Sequence, residues 1–135
     1  MNEATGIEWG RLRVLLVEDE KFALSIEKLV LKQLGISLVT VAMDGGEALK
    51  ILEGAADFDL VISDWNMPFI TGIELLRILR QKRSDVPFIM VTGNTAVAQV
   101  KEALGQGVDA YLVKPFSPDQ MRQKIISVLG KRVKT

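Results

Sequence analysis

The sequence predicts an α/β domain in which one parallel β-sheet carries helices on both faces. Short apolar runs alternate with helix-like stretches five times along the chain, which is typical of this class. The apolar runs are nearly continuous, as expected for strands buried on both faces. Parallel neighbours need crossover connections, and the intervening helices supply them with right-handed geometry.

Residues 12–17 form the first predicted strand, after a polar segment, residues 1–11, that we interpret as a loosely ordered N-terminal tail. Residues 36–42, rich in Ile, Val and Thr, predict the second strand. The helix between them ends at Gly35 and carries apolar residues at helical spacing: Phe22, Ile26, Leu29, Val30 and Leu34. Asp44 and Glu47 form a capping box that starts the second helix.

The third predicted strand is an apolar run that ends at Asp64, and a turn signal at residues 66–68 follows it. Thr71 and Glu74 predict a second capping box, which starts the third helix. A carboxylate at the carboxyl end of a parallel strand is placed for chemistry, although Asp also caps turns.

The remaining predicted elements are a strand at residues 87–92, a helix at residues 95–104, a strand at residues 109–113 and a last helix from Pro118 to about Leu129. Ser117, Pro118 and Gln120 combine an N-cap, a first-turn proline and a capping-box partner. We therefore expect one domain over residues 12–130 and a short C-terminal tail at residues 131–135.

Composition excludes several classes of function. Seventeen basic residues balance seventeen acidic ones, so no net field attracts nucleic acid or an anionic membrane. The absence of cysteine and histidine rules out disulfides, thiolate or imidazole zinc sites and histidine-dependent triads. No apolar run approaches the roughly 20 residues of a membrane span, and a signal-peptide core is lacking, so we expect a cytoplasmic protein.

Polar residues end four of the predicted strands: Glu18 and Asp19 the first, Asp64 the third, Thr92 the fourth and Lys114 the fifth. The carboxyl ends of parallel strands share one edge, so these side chains can converge on one crevice. Taken singly, each has a structural explanation, since acids favour helix N-termini, threonine favours strands and most lysines lie on surfaces. Those explanations do not predict complementary groups at four strand ends of one edge.

Neighbouring carboxylates repel each other and need a compensating cation. Lys114 can supply one positive charge, and a site built only from oxygens suits Mg²⁺, or Mn²⁺, rather than zinc. Asp19, Asp64 and the backbone carbonyl near Asn66 could each give one ligand oxygen. A metal, an ammonium and the hydroxyl of Thr92 around a carboxylate indicate phosphoryl transfer, with Asp64 as the nucleophile.

These motifs together resemble the response-regulator receiver domain, most closely its single-domain, CheY-like chemotaxis type. The resemblance covers nearly the whole chain and rests on the acidic pair after the first strand, Asp64 within residues 61–68, Thr92, and Lys-Pro-Phe at residues 114–116. It implies the flavodoxin-like sheet order 2-1-3-4-5 with five helices, an order of which CheY itself is a standard example.

The resemblance implies that Asp64 accepts a phosphoryl group from a histidine kinase or a phosphotransfer protein. It implies that Mg²⁺ binds to Asp19, Asp64 and the Asn66 carbonyl, with Glu18 acting through water. The chain departs from the family at Glu18, where Asp is commoner, because one more methylene makes direct ligation of the metal less certain. It also departs at Thr71, where the family often has Asp, and at Gly93, where Ala or Ser is usual. None of these departures removes a group that the chemistry requires.

The resemblance also implies a conformational switch. Lys114 would pair with the phosphoryl group, and its bond to Pro115 would be cis, an isomer essentially reserved for X–Pro. Thr92 would move toward the phosphoryl group, and Tyr111 would swing from an exposed to a buried rotamer. Such a protein is a switch rather than an enzyme, catalysing only its own phosphorylation and dephosphorylation.

The output would be binding of a protein target to the surface of the fourth helix, fifth strand and fifth helix, residues 95–104, 109–113 and 118–129. Candidates to face the partner are Val97, Lys101, Tyr111 and Gln123. Because the sequence ends at Thr135, we expect no separate output domain. We expect a monomer or a weak dimer that binds no nucleic acid and does not insert into membranes.

Two other functions fit parts of the pattern. A Mg²⁺-dependent phosphohydrolase could use Asp64 as nucleophile, but such enzymes commonly place a second carboxylate two residues on, where this chain has Asn66. A flavin-binding module shares the fold, but it needs a hydroxyl-rich phosphate loop after the first strand, where Glu18 and Asp19 would repel phosphate.

Overall fold

The computed structural model describes residues 6–54, 57–82, 84–93, 105 and 107–133. Its strands are β1 (Arg13–Val17), β2 (Leu38–Ala42), β3 (Leu60–Asp64), β4 (Phe88–Thr92) and β5 (Ala110–Val113). Its described α-helices are α1 (Lys21–Gln33), α2 (Gly45–Glu53), α3 (Gly72–Gln81) and α4 (Pro118–Val133), and a 3₁₀-helix, Trp9–Arg11, precedes β1.

The five strands form one parallel sheet in the order β2-β1-β3-β4-β5. The predicted class and strand order are therefore confirmed. Four of the five predicted helices correspond to α1–α4. The fourth predicted helix, at residues 95–104, lies outside the described residues.

The sheet is covered on both faces, as its strand composition predicts. Successive side chains of a strand point to opposite faces, so β1 contributes to two apolar clusters. Val14 and Leu16 pack with residues of α1 and α4, whereas Leu15 and Val17 pack with residues of α2 and α3. Every residue of β3 and of β4 is buried. The carboxyl edge of the sheet is therefore supported by an apolar cluster on each face.

The three predicted helix starts are present. Each N-cap oxygen accepts a hydrogen bond from a backbone N–H three residues later, which satisfies a donor that the helix itself leaves unpaired. The pairs are Asp44 with Glu47, Thr71 with Glu74, and Ser117 with Gln120. Glu20, whose capping role was not predicted, accepts from the backbone N–H groups of Phe22 and Ala23 at the start of α1.

The buried side of α1 differs from the side that its apolar spacing suggests. Glu27, Val30 and Leu31 are the buried residues of this helix. Residues three or four apart share one face, and the face that meets the core carries Glu27 together with Val30 and Leu31, with Leu24 and Leu34 packed against the same cluster. The exposed apolar stripe is Phe22, Ile26 and Leu29.

Residues 9–11 and 131–133, which lie within the two segments predicted as tails, are helical. Ile7 and Trp9 are buried in the cluster beneath α1 and α4, because these two apolar side chains gain more from burial than the polar segment around them loses. Helix α4 continues through Gly130 to Val133, beyond the predicted end at Leu129, and a glycine inside a helix costs only about 1 kcal/mol. None of the helices in the described part of the chain is long and apolar enough to cross a membrane.

Candidate functional site

The predicted polar residues lie at the carboxyl edge of the sheet. Asp64 is the last residue of β3 and pairs with Val91, which places Thr92 one residue farther along β4. Thr92 accepts a hydrogen bond through its backbone oxygen from the Lys114 N–H at 2.8 Å. Glu18 follows β1 directly and donates its N–H to Ala42 at 3.0 Å. Regular strand pairing therefore carries these groups to the same edge.

Three carboxylates meet at this edge. Glu18, Asp19 and Asp64 each offer an oxygen, and these oxygens lie within 4.8 Å of one another. Glu18 and Asp64 are buried and Asp19 is half-buried, so Asp19 is the most exposed of the three. Oxygen donors at this spacing are suited to a hard divalent cation such as Mg²⁺ or Mn²⁺. The three acids therefore fit the predicted metal.

Lys114 provides a positive charge among these acids. Its Nζ lies 3.0 Å from Glu18 Oε1 and 3.1 Å from Asp64 Oδ1. Burial disfavours the ammonium, but its hydrogen bonds and charge interactions with Glu18 and Asp64 outweigh that penalty and raise the pKa of Lys114 above its usual range. The lysine is therefore fixed as a cation beside the oxygen of Asp64.

The environment of Asp64 raises the pKa of its carboxyl group above the ordinary value. Burial and the nearby charge of Glu18 raise the pKa of Asp64 to about 6, and Lys114 offsets only part of this shift. A divalent cation bound to the carboxylate would reverse the balance, because a metal charge favours the ionised ligand. With a pKa of about 6, Asp64 is still mostly ionised at neutral pH.

A fourth acid, Glu27, belongs to the same cluster and was not predicted. It projects from α1, is nearly fully buried and shares a side-chain hydrogen bond with Glu18. Its Oε2 lies 3.7 Å from Lys114 Nζ. Burial, reinforced by the charge of Glu18 and this hydrogen bond, raises the pKa of Glu27 well above its usual range. The available sequence signal was an acid on the same helical face as Val30 and Leu31.

Thr92 and Tyr111 connect the acid cluster to β5. Thr92 is buried, Tyr111 is half-buried, and a side-chain hydrogen bond joins them. The ring of Tyr111 stands edge-on to Trp65, with 6.4 Å between ring centroids and 71° between planes. Burial raises the pKa of the Tyr111 hydroxyl. Tyr111 of β5 therefore contacts the residue that directly follows Asp64.

The loop after β3 folds back so that the start of α3 lies against the backbone of Asp64 and Trp65. A side chain at Gly72 would collide with the backbone oxygen of Asp64, so only glycine permits α3 to start this close to the site. Asn66 has an exposed side chain and lies two residues beyond Asp64. The Lys114–Pro115 peptide bond is cis, which is the isomer that the resemblance implied.

Comparison with known proteins identifies the family. The family model for the response regulator receiver domain matches residues 14–126, which is most of the chain and contains every residue of the site. The chain belongs to this family.

Chemotaxis regulators are among the relatives of this receiver domain. It is 40% identical over 121 residues to the chemotaxis protein CheY homolog of Campylobacter jejuni, covering 88% of this chain and 93% of the relative. It is 37% identical to the chemotaxis protein CheY1 of Helicobacter pylori, covering 88% and 98%.

Solved structures agree with this assignment. The chemotaxis response regulator CheY4 of Vibrio cholerae superposes with a TM-score of 0.75 at 32% identity, covering 90% of this chain and 98% of that one. The receiver domain of the Francisella response regulator 1452 superposes with a TM-score of 0.80 at 35% identity, with the same coverage. The protein is therefore a CheY-type receiver domain, a class that implies two-component signalling.

Proposed function

We propose that this receiver domain is a phosphorylation switch in which Asp64 accepts a phosphoryl group from a histidine kinase or a phosphotransfer protein. One observation carries the proposal: a fixed ammonium, Lys114, lies 3.1 Å from the Asp64 carboxylate, within a group of acids suited to a divalent cation. This combination supplies a nucleophile and two sources of positive charge for the phosphoryl oxygens.

The proposed metal is Mg²⁺, which Mn²⁺ can replace. Its ligands would be one oxygen each from Asp19 and Asp64 and the backbone carbonyl of Asn66, with Glu18 acting through water. A metal bound in this way supplies charge stabilisation to the phosphoryl oxygens. The mutual approach of the three carboxylates to within 4.8 Å supports this assignment, since Mg²⁺ prefers one or two carboxylates together with phosphate oxygens.

The proposed chemistry is one displacement at phosphorus. A carboxylate oxygen of Asp64 attacks the phosphorus atom while the bond from phosphorus to the donor nitrogen breaks, and the electron pair leaves with the donor imidazole. Lys114 balances the negative charge that develops on the phosphoryl oxygens. The Thr92 hydroxyl, at the end of the neighbouring strand, donates a hydrogen bond to one of these oxygens.

The proposed switch passes through Thr92 and Tyr111. Phosphorylation adds up to two negative charges at Asp64, which compete with Tyr111 for the Thr92 hydroxyl. Loss of the Thr92–Tyr111 hydrogen bond would free the phenol to change its rotamer. A modification can shift a population only by stabilising one conformer more than the other, and this exchange of partners supplies such a difference.

The proposed output surface comprises residues 95–104, β5 and α4, and its target is a protein. Tyr111 is half-buried on this surface and Gln123 is exposed, whereas Val97 and Lys101 lie outside the described residues. The names of the Campylobacter and Helicobacter relatives support a target of the chemotaxis type. We place the protein in the cytoplasm, as a monomer or weak dimer without nucleic-acid or membrane binding.

The test separates a switch from a phosphohydrolase. The protein is incubated with acetyl phosphate, or in a second experiment with a chromogenic phosphomonoester, in Mg²⁺ or in EDTA. The proposal predicts no more than one phosphoryl group per chain from acetyl phosphate, only with Mg²⁺, and no sustained release from the monoester. Many turnovers of the monoester per chain would instead establish the hydrolase.

A further inference from the structure

The buried carboxyl group of Glu27 has no part in the proposed chemistry, although it lies within the same cluster. Its side chain is 5% exposed. It projects from the face of α1 that also buries Val30 and Leu31. An apolar residue of similar size would avoid the cost of removing a carboxyl group from water, so packing alone gives no reason for an acid here.

The contacts of Glu27 converge on the two groups that flank Asp64. It shares a hydrogen bond with Glu18, and its Oε2 lies 3.7 Å from Lys114 Nζ. The Lys114 ammonium has three N–H donors, and three carboxyl groups surround it, at 3.0 Å for Glu18, 3.1 Å for Asp64 and 3.7 Å for Glu27. Glu18, which follows β1, and Glu27, on α1, therefore both contact the ammonium.

The Glu18 side chain is longer than the aspartate common at this position, so its carboxylate has more orientations to restrict. Glutamate has one more rotatable bond than aspartate, so its carboxylate needs additional anchors to keep one orientation. Three anchors are present. Glu18 Oε1 accepts from Lys114 at 3.0 Å, Glu18 Oε2 accepts from the backbone N–H of Glu20 at 3.2 Å, and Glu27 adds a side-chain hydrogen bond.

We propose that Glu27 is a positioning residue, which holds the Glu18 carboxylate, and through it the Lys114 ammonium, in the orientation that metal binding and phosphorylation of Asp64 require. The inference rests on the proposed function and adds to it a partner for Glu18. Removal of a group that hydrogen-bonds to the residues around a metal commonly lowers metal affinity by 10- to 100-fold.

The experiment compares Glu27→Leu with Glu27→Gln. Leucine has a similar size but forms no hydrogen bond, whereas the glutamine amide can still donate one to Glu18. The Mg²⁺ dissociation constant is measured by tryptophan fluorescence. Trp65 follows Asp64 directly, and Trp9, before β1 at the opposite edge of the sheet, gives a constant background. Urea unfolding of the metal-free proteins measures stability separately.

We expect Glu27→Leu to weaken Mg²⁺ binding by about tenfold or more, with metal-free stability equal to that of the parent or higher. We expect Glu27→Gln to stay within about threefold of the parent in Mg²⁺ affinity, because its amide preserves the hydrogen bond. A leucine variant that binds Mg²⁺ as tightly as the parent overturns the inference. The same holds if both variants lose affinity only in proportion to a loss of stability.

A double-mutant cycle with Glu18→Asp isolates the proposed route. Aspartate is shorter by one methylene, so we expect its contact with Glu27 to be lost and Glu27→Leu to cost much less Mg²⁺ affinity in this background than in the parent. Equal losses in both backgrounds would show that Glu27 does not act through Glu18. If the parent itself binds no Mg²⁺, the proposed function fails, and that outcome differs from one in which the parent binds and the variants do not differ.

Discussion

Lys114 Nζ lies 3.1 Å from Asp64 Oδ1, although 50 residues separate the two along the chain. The contact exists because β3 and β5 flank β4 in a parallel sheet, so that their carboxyl ends open on one crevice. It joins a carboxylate with a raised pKa to an ammonium with a raised pKa.

Replacement of Lys114 by methionine should destabilise the metal-free protein at pH 8. The substitution removes the cation from beside two buried carboxylates, Glu18 and Asp64, and an uncompensated buried charge is costly. We expect a loss of at least about 1 kcal/mol in the free energy of unfolding, measured by urea denaturation in EDTA. The loss should be smaller at pH 5, where Asp64 is mostly protonated.

The matched control is Lys28→Met, which removes an exposed lysine of α1 and should change stability by less than about 0.5 kcal/mol. Equal effects of the two substitutions at pH 8 would contradict the pairing of Lys114 with the acids.

The stability of the metal-free protein should fall as pH rises, and Asp64 should account for part of the fall. The pKa of Asp64 is about 6 in the folded protein and 3.8 in a model peptide, so the folded state binds this proton more tightly than the unfolded state. Stability is then lost as pH rises from about 4 through 6. Glu27, whose pKa is also raised, contributes in the same direction.

The Asp64→Asn variant does not titrate at this position, so the same rise in pH should cost it less stability. The expected difference between parent and variant is on the order of 2 kcal/mol over the range from pH 4 to pH 8. Urea unfolding in EDTA at several pH values measures it. Parallel curves for the two proteins would show that the folded environment does not raise the pKa of Asp64.

Tyr111 should report phosphorylation through Thr92. It is the single tyrosine of the chain, so isotope-labelled tyrosine gives one set of ring resonances. Beryllofluoride with Mg²⁺, a mimic of the phosphoryl group, should shift these resonances in the parent because it competes for the Thr92 hydroxyl. In Thr92→Val, which keeps the shape of threonine but lacks the hydroxyl, ligand binding seen by Trp65 fluorescence should persist while the tyrosine shift is largely lost.

Persistence of the full tyrosine shift in the valine variant would mean that Thr92 does not transmit the signal. The unliganded valine variant provides the reference, since loss of the hydrogen bond alone also changes the tyrosine environment.

Phe69 should be a site of local strain beside the candidate site. Its φ of 68° is left-handed, a conformation that costs a non-glycine residue roughly 1 kcal/mol or more. Its side chain is 94% exposed, so packing does not repay that cost. Phe69→Asn should therefore raise the free energy of unfolding by about 1 kcal/mol, because asparagine tolerates this conformation. An unchanged or lower stability in urea would argue against strain at this turn.

The sequence sufficed to predict a parallel sheet and the groups at its carboxyl edge, since parallel topology brings strand ends together whatever the loops do. The strand order was implied by the resemblance to receiver domains. The sequence did not suffice for Glu27. The apolar pattern of α1 is dominated by Phe22, Ile26 and Leu29, which prove to be exposed. Which helical face meets the sheet depends on packing against α4 and the strands, and that information is not local. The left-handed backbone of Phe69 is likewise set by the loop as a whole.

The N-terminal segment illustrates the same limit. Ile7 and Trp9 stand among polar residues, so no periodic pattern marks them as core. Their burial depends on a surface formed by residues far along the chain, including Leu129 and Ile36. Sequence reasoning therefore performed best where one rule of topology decides the outcome and worst where a few long-range contacts do.

The most direct test of the central claim is the site of phosphorylation. The parent, Asp64→Asn and the matched control Asp57→Asn, which changes an exposed acid, are each incubated with acetyl phosphate and Mg²⁺ and weighed by intact-protein mass spectrometry. We predict that the parent and Asp57→Asn each gain one phosphoryl group while Asp64→Asn gains none. An Asp64→Asn variant that is folded and labelled as fully as the parent would contradict the account.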